Sequence, residues 1–145
     1  MKVLVPVDGS PHSLKAVEAA CELVSSRPPS ELILLSVSLA LFDLEDEGHY
    51  VADKLKRQAE ASLTQGKEKA KAMGVTPIMA LLAIGVSAAD EIVRVSKDEK
   101  VDLIVIGSRG LAGKTRFFVG GTATKVVTYS PCSVMVVKIP EEEAS

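Results

Sequence analysis

Five short apolar runs constrain this chain more than any other feature: "KVLVPV" (2–7), "ELILLSV" (31–37), "TPIMALLA" (76–83), "VDLIVIG" (101–107) and "SVMVVKI" (133–139). Most are nearly continuous rather than alternating, and they are rich in Val, Ile and Leu. That is the pattern of strands covered on both faces, as in a parallel sheet between two helical layers. Segments of helical character separate the runs. The first has Ser10 as N-cap candidate and Pro11 at the first helical position, and it closes before Pro28-Pro29. The second, predicted from about Val51 to Met73, aligns Val51, Leu55, Ala59, Leu63, Ala70 and Met73 on one stripe, with Gly74 as its stop. The third opens at Ser87, paired with Asp90 in the manner of a capping box, and turns Ile92, Val93 and Val95 inward. A fourth, near 122–129, ends against Pro131. Strand and helix alternate throughout, which predicts an α/β fold: a largely parallel open sheet with helices on both faces. Residues 1–140 are expected to form one domain, with 141–145 a frayed tail. The acidic stretch "FDLEDEGHY" (42–50) is expected to be a mobile surface loop.

Composition removes several classes of function. Aromatic residues make up 3% of the chain and tryptophan is absent, so there is no stacking platform for single-stranded nucleic acid. The net charge is -2 with dispersed basic residues, which leaves no electrostatic footprint for a duplex. The opening apolar run is too short for a signal core or a membrane span. A cytoplasmic protein that binds neither nucleic acid nor membrane is expected. Cys21 falls at helical spacing with Leu14, Val17 and Val24 and is expected in the core, while Cys132, His12 and His49 have no partners at metal-ligand spacing.

In an open parallel sheet, ligands bind outside the carboxyl ends of the strands, where the strand order reverses. Three segments fall at such ends: Val7-Asp8-Gly9-Ser10, Val37-Ser38, and Gly107 to Gly113. The third belongs to "GSRGLAGKTRFFVGGTATKVV" (107–127), whose Gly113-Lys114-Thr115 looks like the end of a phosphate-binding P-loop. A P-loop would continue from Thr115 as an uninterrupted helix, which Gly120-Gly121 forbids. A better parse is a phosphate site in two pieces, with Gly107, Gly110 and Gly113 in the loop and Gly120-Gly121-Thr122 opening the last helix. Glycines admit phosphate to backbone N–H groups, and the helix start adds unpaired N–H groups and a positive dipole end. Arg109, Lys114 and Arg116 bring positive charge. Asp8 is placed to accept from a sugar hydroxyl or an adenine amino group, or simply to cap the first helix. On spacing alone, a plain glycine-rich connection stays open beside nucleotide binding.

With these residues in view the chain resembles the universal stress protein family along nearly its whole length. Gly107-Ser108-Arg109-Gly110, followed by nine residues and Gly120, reproduces the glycines of the family's nucleotide-binding signature, G-x2-G-x9-G-[S/T]. The segments "VPVDGSPHSLKAV", "VDLIVIGSRG" and "SPCSVMVVK" are also similar to the family. The resemblance implies the fold of the adenine nucleotide alpha hydrolases, with strand order 3-2-1-4-5 and ATP at the carboxyl edge. By that likeness Pro6, Val7 and Asp8 lie beside adenine and ribose, and the backbone of Val37 meets the adenine edge. Gly107, Ser108, Arg109, Gly110, Leu111, Ala112 and Gly113 wrap ribose and phosphates, and Gly120, Gly121 and Thr122 hold the phosphate tail. Mg²⁺ is then held through phosphate oxygens and water, not by a protein metal site. The one departure is Gly121, where the family pattern has Ser or Thr. The lost hydroxyl would loosen the terminal phosphates, which makes AMP or ADP an alternative to ATP.

No nucleophile with an adjacent base appears in the glycine region, so slow ATP turnover is the most that is expected. A nucleotide-dependent regulator is the leading expectation, with the 42–50 loop or the 114–119 linker as its moving part and an unknown protein as its partner. A ligand-free dimeric interaction module and an enzyme acting on an adenylate are the competing classes. Phe117-Phe118 is expected as a buried anchor beneath the loop. The last apolar run leaves a sheet edge that needs cover, and the resemblance implies a homodimer through it, burying Val134, Val136 and Val137.

Overall fold

The computed structural model describes residues 1–40, 45–109 and 120–140, with backbone alone for 45–50. In chain order the elements are β1 (Lys2–Pro6), α1 (Pro11–Ser26), β2 (Glu31–Leu39), α2 (Glu45–Ala72), β3 (Ile78–Gly85), α3 (Ala88–Asp98), β4 (Leu103–Gly107), α4 (Gly121–Tyr129) and β5 (Ser133–Val137). The strands form one parallel sheet in the order β3-β2-β1-β4-β5. Right-handed crossovers then place α1 and α2 on one face and α3 and α4 on the other.

Residue parity within the central strands separates the two cores. Val3, Val5, Leu32, Leu34 and Val105 pack with Ala16, Val17, Ala20 and Cys21 of α1 and Leu63 and Ala70 of α2. Leu4, Ile33, Leu35, Ile104 and Ile106 pack with Ala89, Ile92 and Val95 of α3 and Ala123 and Val126 of α4. Both faces of β1, β2 and β4 are therefore buried, which is why their sequences run apolar without alternation.

The helix boundaries have local causes. Ser10 Oγ accepts the Ser13 N–H at 3.1 Å with Pro11 at the first position of α1, and Ser87 Oγ accepts the Asp90 N–H at 3.3 Å at the start of α3. α2 ends in a Schellman arrangement: Val75 N–H donates to Ala70 O, Gly74 N–H donates to Lys71 O, and Gly74 takes φ +81°. The start of α2 differs from expectation. Residues 45–50 are helical rather than loop, and Glu45, Asp46 and Glu47 occupy the first turn, where negative charge complements the helix dipole. Residues 42–44 lie outside the described residues, as do 114–119 with Phe117 and Phe118, and the tail 141–145. Of the stripe foreseen on α2, Ala59, Leu63 and Ala70 are buried, whereas Val51 is exposed.

The two sheet edges differ. On β5, Val134 and Val136 lean toward the α3/α4 core and Met135 and Val137 toward the α1 core, so the three valines foreseen as one patch divide between faces. On β3, Met79 and Ile84 are largely exposed. Leu4 has no accessible surface. Leu4→Ala is expected to cost about 2–5 kcal/mol in chemical denaturation, and Ile84→Ala less than about 0.5 kcal/mol.

Candidate functional site

The strand order reverses between β1 and β4, and a cleft of about 660 Å³, open mouth included, lies over their carboxyl ends. Pro6, Val7 and Asp8 come to it from β1, Val37 from β2, Gly107, Ser108 and Arg109 from β4, and Gly120 and Thr122 from the start of α4. Gly121 is not part of the wall. Gly110, Leu111, Ala112 and Gly113 lie outside the described residues.

Each strand end presents different chemistry. Val7 N–H donates to Leu35 O at 2.8 Å, the last rung between β1 and β2. Val37 shares the parity of Leu35, so its N–H and C=O face the same side of β2, now past the end of β1 and over the cleft. Ser36, of opposite parity in the backbone, donates its buried hydroxyl to Val7 O at 2.9 Å. After β1 the chain turns through Asp8, whose Oδ1 accepts the Ser10 N–H at 2.9 Å, and Gly9, at φ +83°, where a side chain would strain the backbone. Asp8 thus shapes the lead into α1, while the N-cap itself is Ser10.

Gly107 serves a purpose other than the one foreseen. A Cβ there would lie 2.7 Å from the carbonyl carbon and oxygen of His12, so the missing side chain lets the end of β4 meet the first turn of α1. Ser108 spends both backbone groups on closure: its N–H donates to Val137 O at 2.8 Å, and its carbonyl accepts the Gly120 N–H at 2.6 Å. The latter bond draws the two ends of the 109–119 segment together. It also corrects the expected donor set, because the Gly120 N–H is already engaged. The N–H groups with no intrahelical partner are those of Gly121, Thr122 and Ala123, the first three helical positions. A Cβ on Gly121 would meet nothing within 4 Å, and Thr122 is the hydroxyl-bearing residue on the cleft wall.

Several cleft residues escaped the sequence reading: Ser13, Leu35, Ala88, Ile92, Ile106 and Ala123. Leu35 and Ile106 were legible in principle as α3/α4-facing positions just before strand ends. Ala88 and Ile92 arrive from the first turns of α3, which only the crossover geometry brings over the sheet edge. His12, separated from the glycines by sequence, is folded against them. Burial and the nearby Arg109 guanidinium hold its pKa below the ordinary histidine value, partly offset by Asp8. Among the described residues no cluster of three His, Cys, Asp or Glu could hold a metal ion, and no helix is long and apolar enough to cross a membrane.

The His12 shift has a sign. With the folded pKa depressed, the unfolded chain binds the proton more readily. Stability is therefore full above the unfolded value of 6.5 and is lost as pH falls through it toward the lower folded value. Denaturation midpoints are expected to fall as pH drops below 6.5, and His12→Gln is expected to flatten that part of the profile.

The family model that matches residues 1–138 is described as the universal stress protein family. A universal stress protein of Methanocaldococcus jannaschii is 32% identical over 145 residues, covering 98% of this chain and 84% of the relative. Another, YxiE of Bacillus subtilis, is 32% identical over 148 residues, covering 94% of this chain and 98% of the relative. Among solved structures, UspA from Lactobacillus plantarum superposes with a TM-score of 0.83 at 23% identity, over 95% of this chain and 97% of that one. A universal stress protein solved in complex with cAMP superposes with a TM-score of 0.73 at 28% identity, over 97% of this chain and 98% of that one. With this match along nearly its full length, the chain belongs to the universal stress protein family.

Proposed function

We propose that the protein binds an adenine nucleotide in the cleft over β1 and β4 and acts as a nucleotide-dependent regulator in a stress response. What supports this is the polarity of the cleft. One end is walled by apolar groups, including Val7, Leu35, Ile92 and Ile106, and the other by the start of α4, Ser108 and Arg109. A flat apolar base and a phosphate need those two surroundings next to each other. The Val37 backbone faces the apolar end and offers a donor and an acceptor to a base edge. A relative at 28% identity was solved with cAMP, an adenine nucleotide.

ATP, ADP and AMP share adenine, ribose and first phosphate, and each fits this arrangement. With ATP, Mg²⁺ is held through phosphate oxygens and water; Asp8 is the one carboxylate on the wall among the described residues. Loss of a hydroxyl at Gly121 is offset by Thr122, which borders the cleft where Gly121 does not. Any ATP hydrolysis is slow and incidental to binding.

The test is to denature freshly purified protein, chromatograph the supernatant for ATP, ADP and AMP, and titrate each nucleotide into stripped protein. Thr122→Asp is the informative variant: a carboxylate in the first turn of α4 favours the helix but repels phosphate. Its thermal midpoint without ligand is expected to match or exceed the parent's, while affinity falls tenfold or more, about 1.4 kcal/mol. Equal affinity in parent and variant would put the phosphates elsewhere.

The protein also forms a homodimer through β5. Ser108 N–H donates to Val137 O, so Val137, Met135 and Ser133 turn their backbone groups toward β4, and Val134 and Val136 turn theirs outward to the edge. An outward row of unpaired groups on an apolar strand invites a second strand. Val136→Lys is expected to shift sedimentation toward monomer, with Val136→Ala remaining dimeric as the control for lost packing; a dimer undisturbed by lysine would locate the interface away from β5.

A further inference from the structure

We infer that Arg109 makes the cleft selective for phosphorylated over unphosphorylated adenine nucleosides, by holding the phosphate nearest the ribose beside the start of α4. This rests on the nucleotide reading and assigns one side chain the discrimination within it.

Arg109 is the first residue past the Ser108 closure and is fixed from two sides. A Cβ on Gly120 would stand 3.5 Å from its Cα and 3.7 Å from its Cγ, so the arginine stem lies against the start of α4. Its guanidinium acts on His12, in the first turn of α1, strongly enough to disfavour a second positive charge there. The side chain therefore occupies the corner between α1 and α4 on the cleft wall. Its Nε is buried with no hydrogen-bond partner. Among the described residues no ion pair engages the guanidinium. A buried charged donor without an acceptor is costly, and native structures rarely keep one without a use.

A phosphate at the start of α4 supplies the missing acceptor. Its oxygens would accept from the open N–H groups of Gly121, Thr122 and Ala123 on one side and from the guanidinium fork on the other. A nucleoside brings no oxygen anion to that corner. It would fill the apolar end and leave Arg109 as it is in the free protein. Ion geometry makes arginine the specific choice: a lysine ammonium at the same place supplies charge but not the Nε donor.

The experiment titrates AMP and adenosine into nucleotide-free protein and into Arg109→Gln and Arg109→Lys, with the thermal midpoint of each unliganded variant measured first. The parent is expected to bind AMP at least tenfold more tightly than adenosine. Arg109→Gln should lose that preference by weakening AMP alone, and Arg109→Lys should fall between. AMP and adenosine affinities falling together would make the residue structural and overturn the inference. AMP binding unaltered in Arg109→Gln would overturn it as well, while leaving the nucleotide reading intact. Failure of the parent to bind either compound would overturn both. A second readout follows His12 by NMR titration in the parent: with AMP bound, the phosphate offsets the arginine's field and the imidazole midpoint should rise. An unmoved midpoint would place the phosphate away from Arg109 and overturn the inference.

Discussion

The approach of β4 to α1 at Gly107 is the constraint on which the rest of the site depends. Parallel strands end level with one another, and the helix that follows β1 must start within a few residues of the neighbouring strand's end. Here that distance is so small that a single methyl group on Gly107 would overlap the His12 carbonyl. The contact sets how far α1 sits over the sheet edge, and hence where Asp8, Ser13 and His12 fall. One residue later, Ser108 ties β4 to β5 through its N–H and to α4 through its carbonyl. Two consecutive residues thus lock α1, β5 and α4 around one point, and the cleft is the space left between them.

The cleft is continuous with the α3/α4 core. Leu35, Ile92, Ile106 and Ala123 belong to both, so the residues that would touch a base are held by the same packing that stabilises the fold. Such a wall is preorganised, because close-packed side chains cannot relax independently. The polar end is built differently, from backbone groups at element ends and from one charged side chain. A ligand bridging the two ends therefore meets a rigid surface at one side and, at the other, a set of donors whose partners are not supplied by the helix.

How much of this was legible in the sequence depends on the range of the interaction involved. The strand runs and the strand order were accessible because double-sided burial removes alternation, and because the family's segments lie in order along the chain. The caps at Ser10 and the stop at Gly74 were readable because their hydrogen bonds span three to five residues. α2 was cut short because an acidic stretch resembles a solvated loop, although the same charges favour a helix start. The cleft residues from β1, β2 and β4 follow from the strand-end rule. Ala88, Ile92 and Ala123 do not, since their arrival depends on where the crossover helices come to rest. His12 was set apart for the same reason: its neighbour Gly107 is distant in sequence, and nothing local encodes that contact.

The two-piece parse of the glycine segment also changes in detail once the closure is seen. Gly107 and Gly120 were both expected to face phosphate, yet Gly107 spends its missing side chain on His12 and Gly120 spends its N–H on Ser108. The conserved-looking spacing therefore encodes a clasp at least as much as a cradle. It brings the two ends of an intervening segment to one point, and in doing so moves the first open donor of α4 from Gly120 to Gly121. At that position a glycine has a use that a serine shares only in part, since it leaves the N–H uncovered and hands the hydroxyl's place on the wall to Thr122. An anion seated there is then gripped by the helix start from one side and by Arg109 from the other, on either side of the single hydrogen bond that closes the clasp.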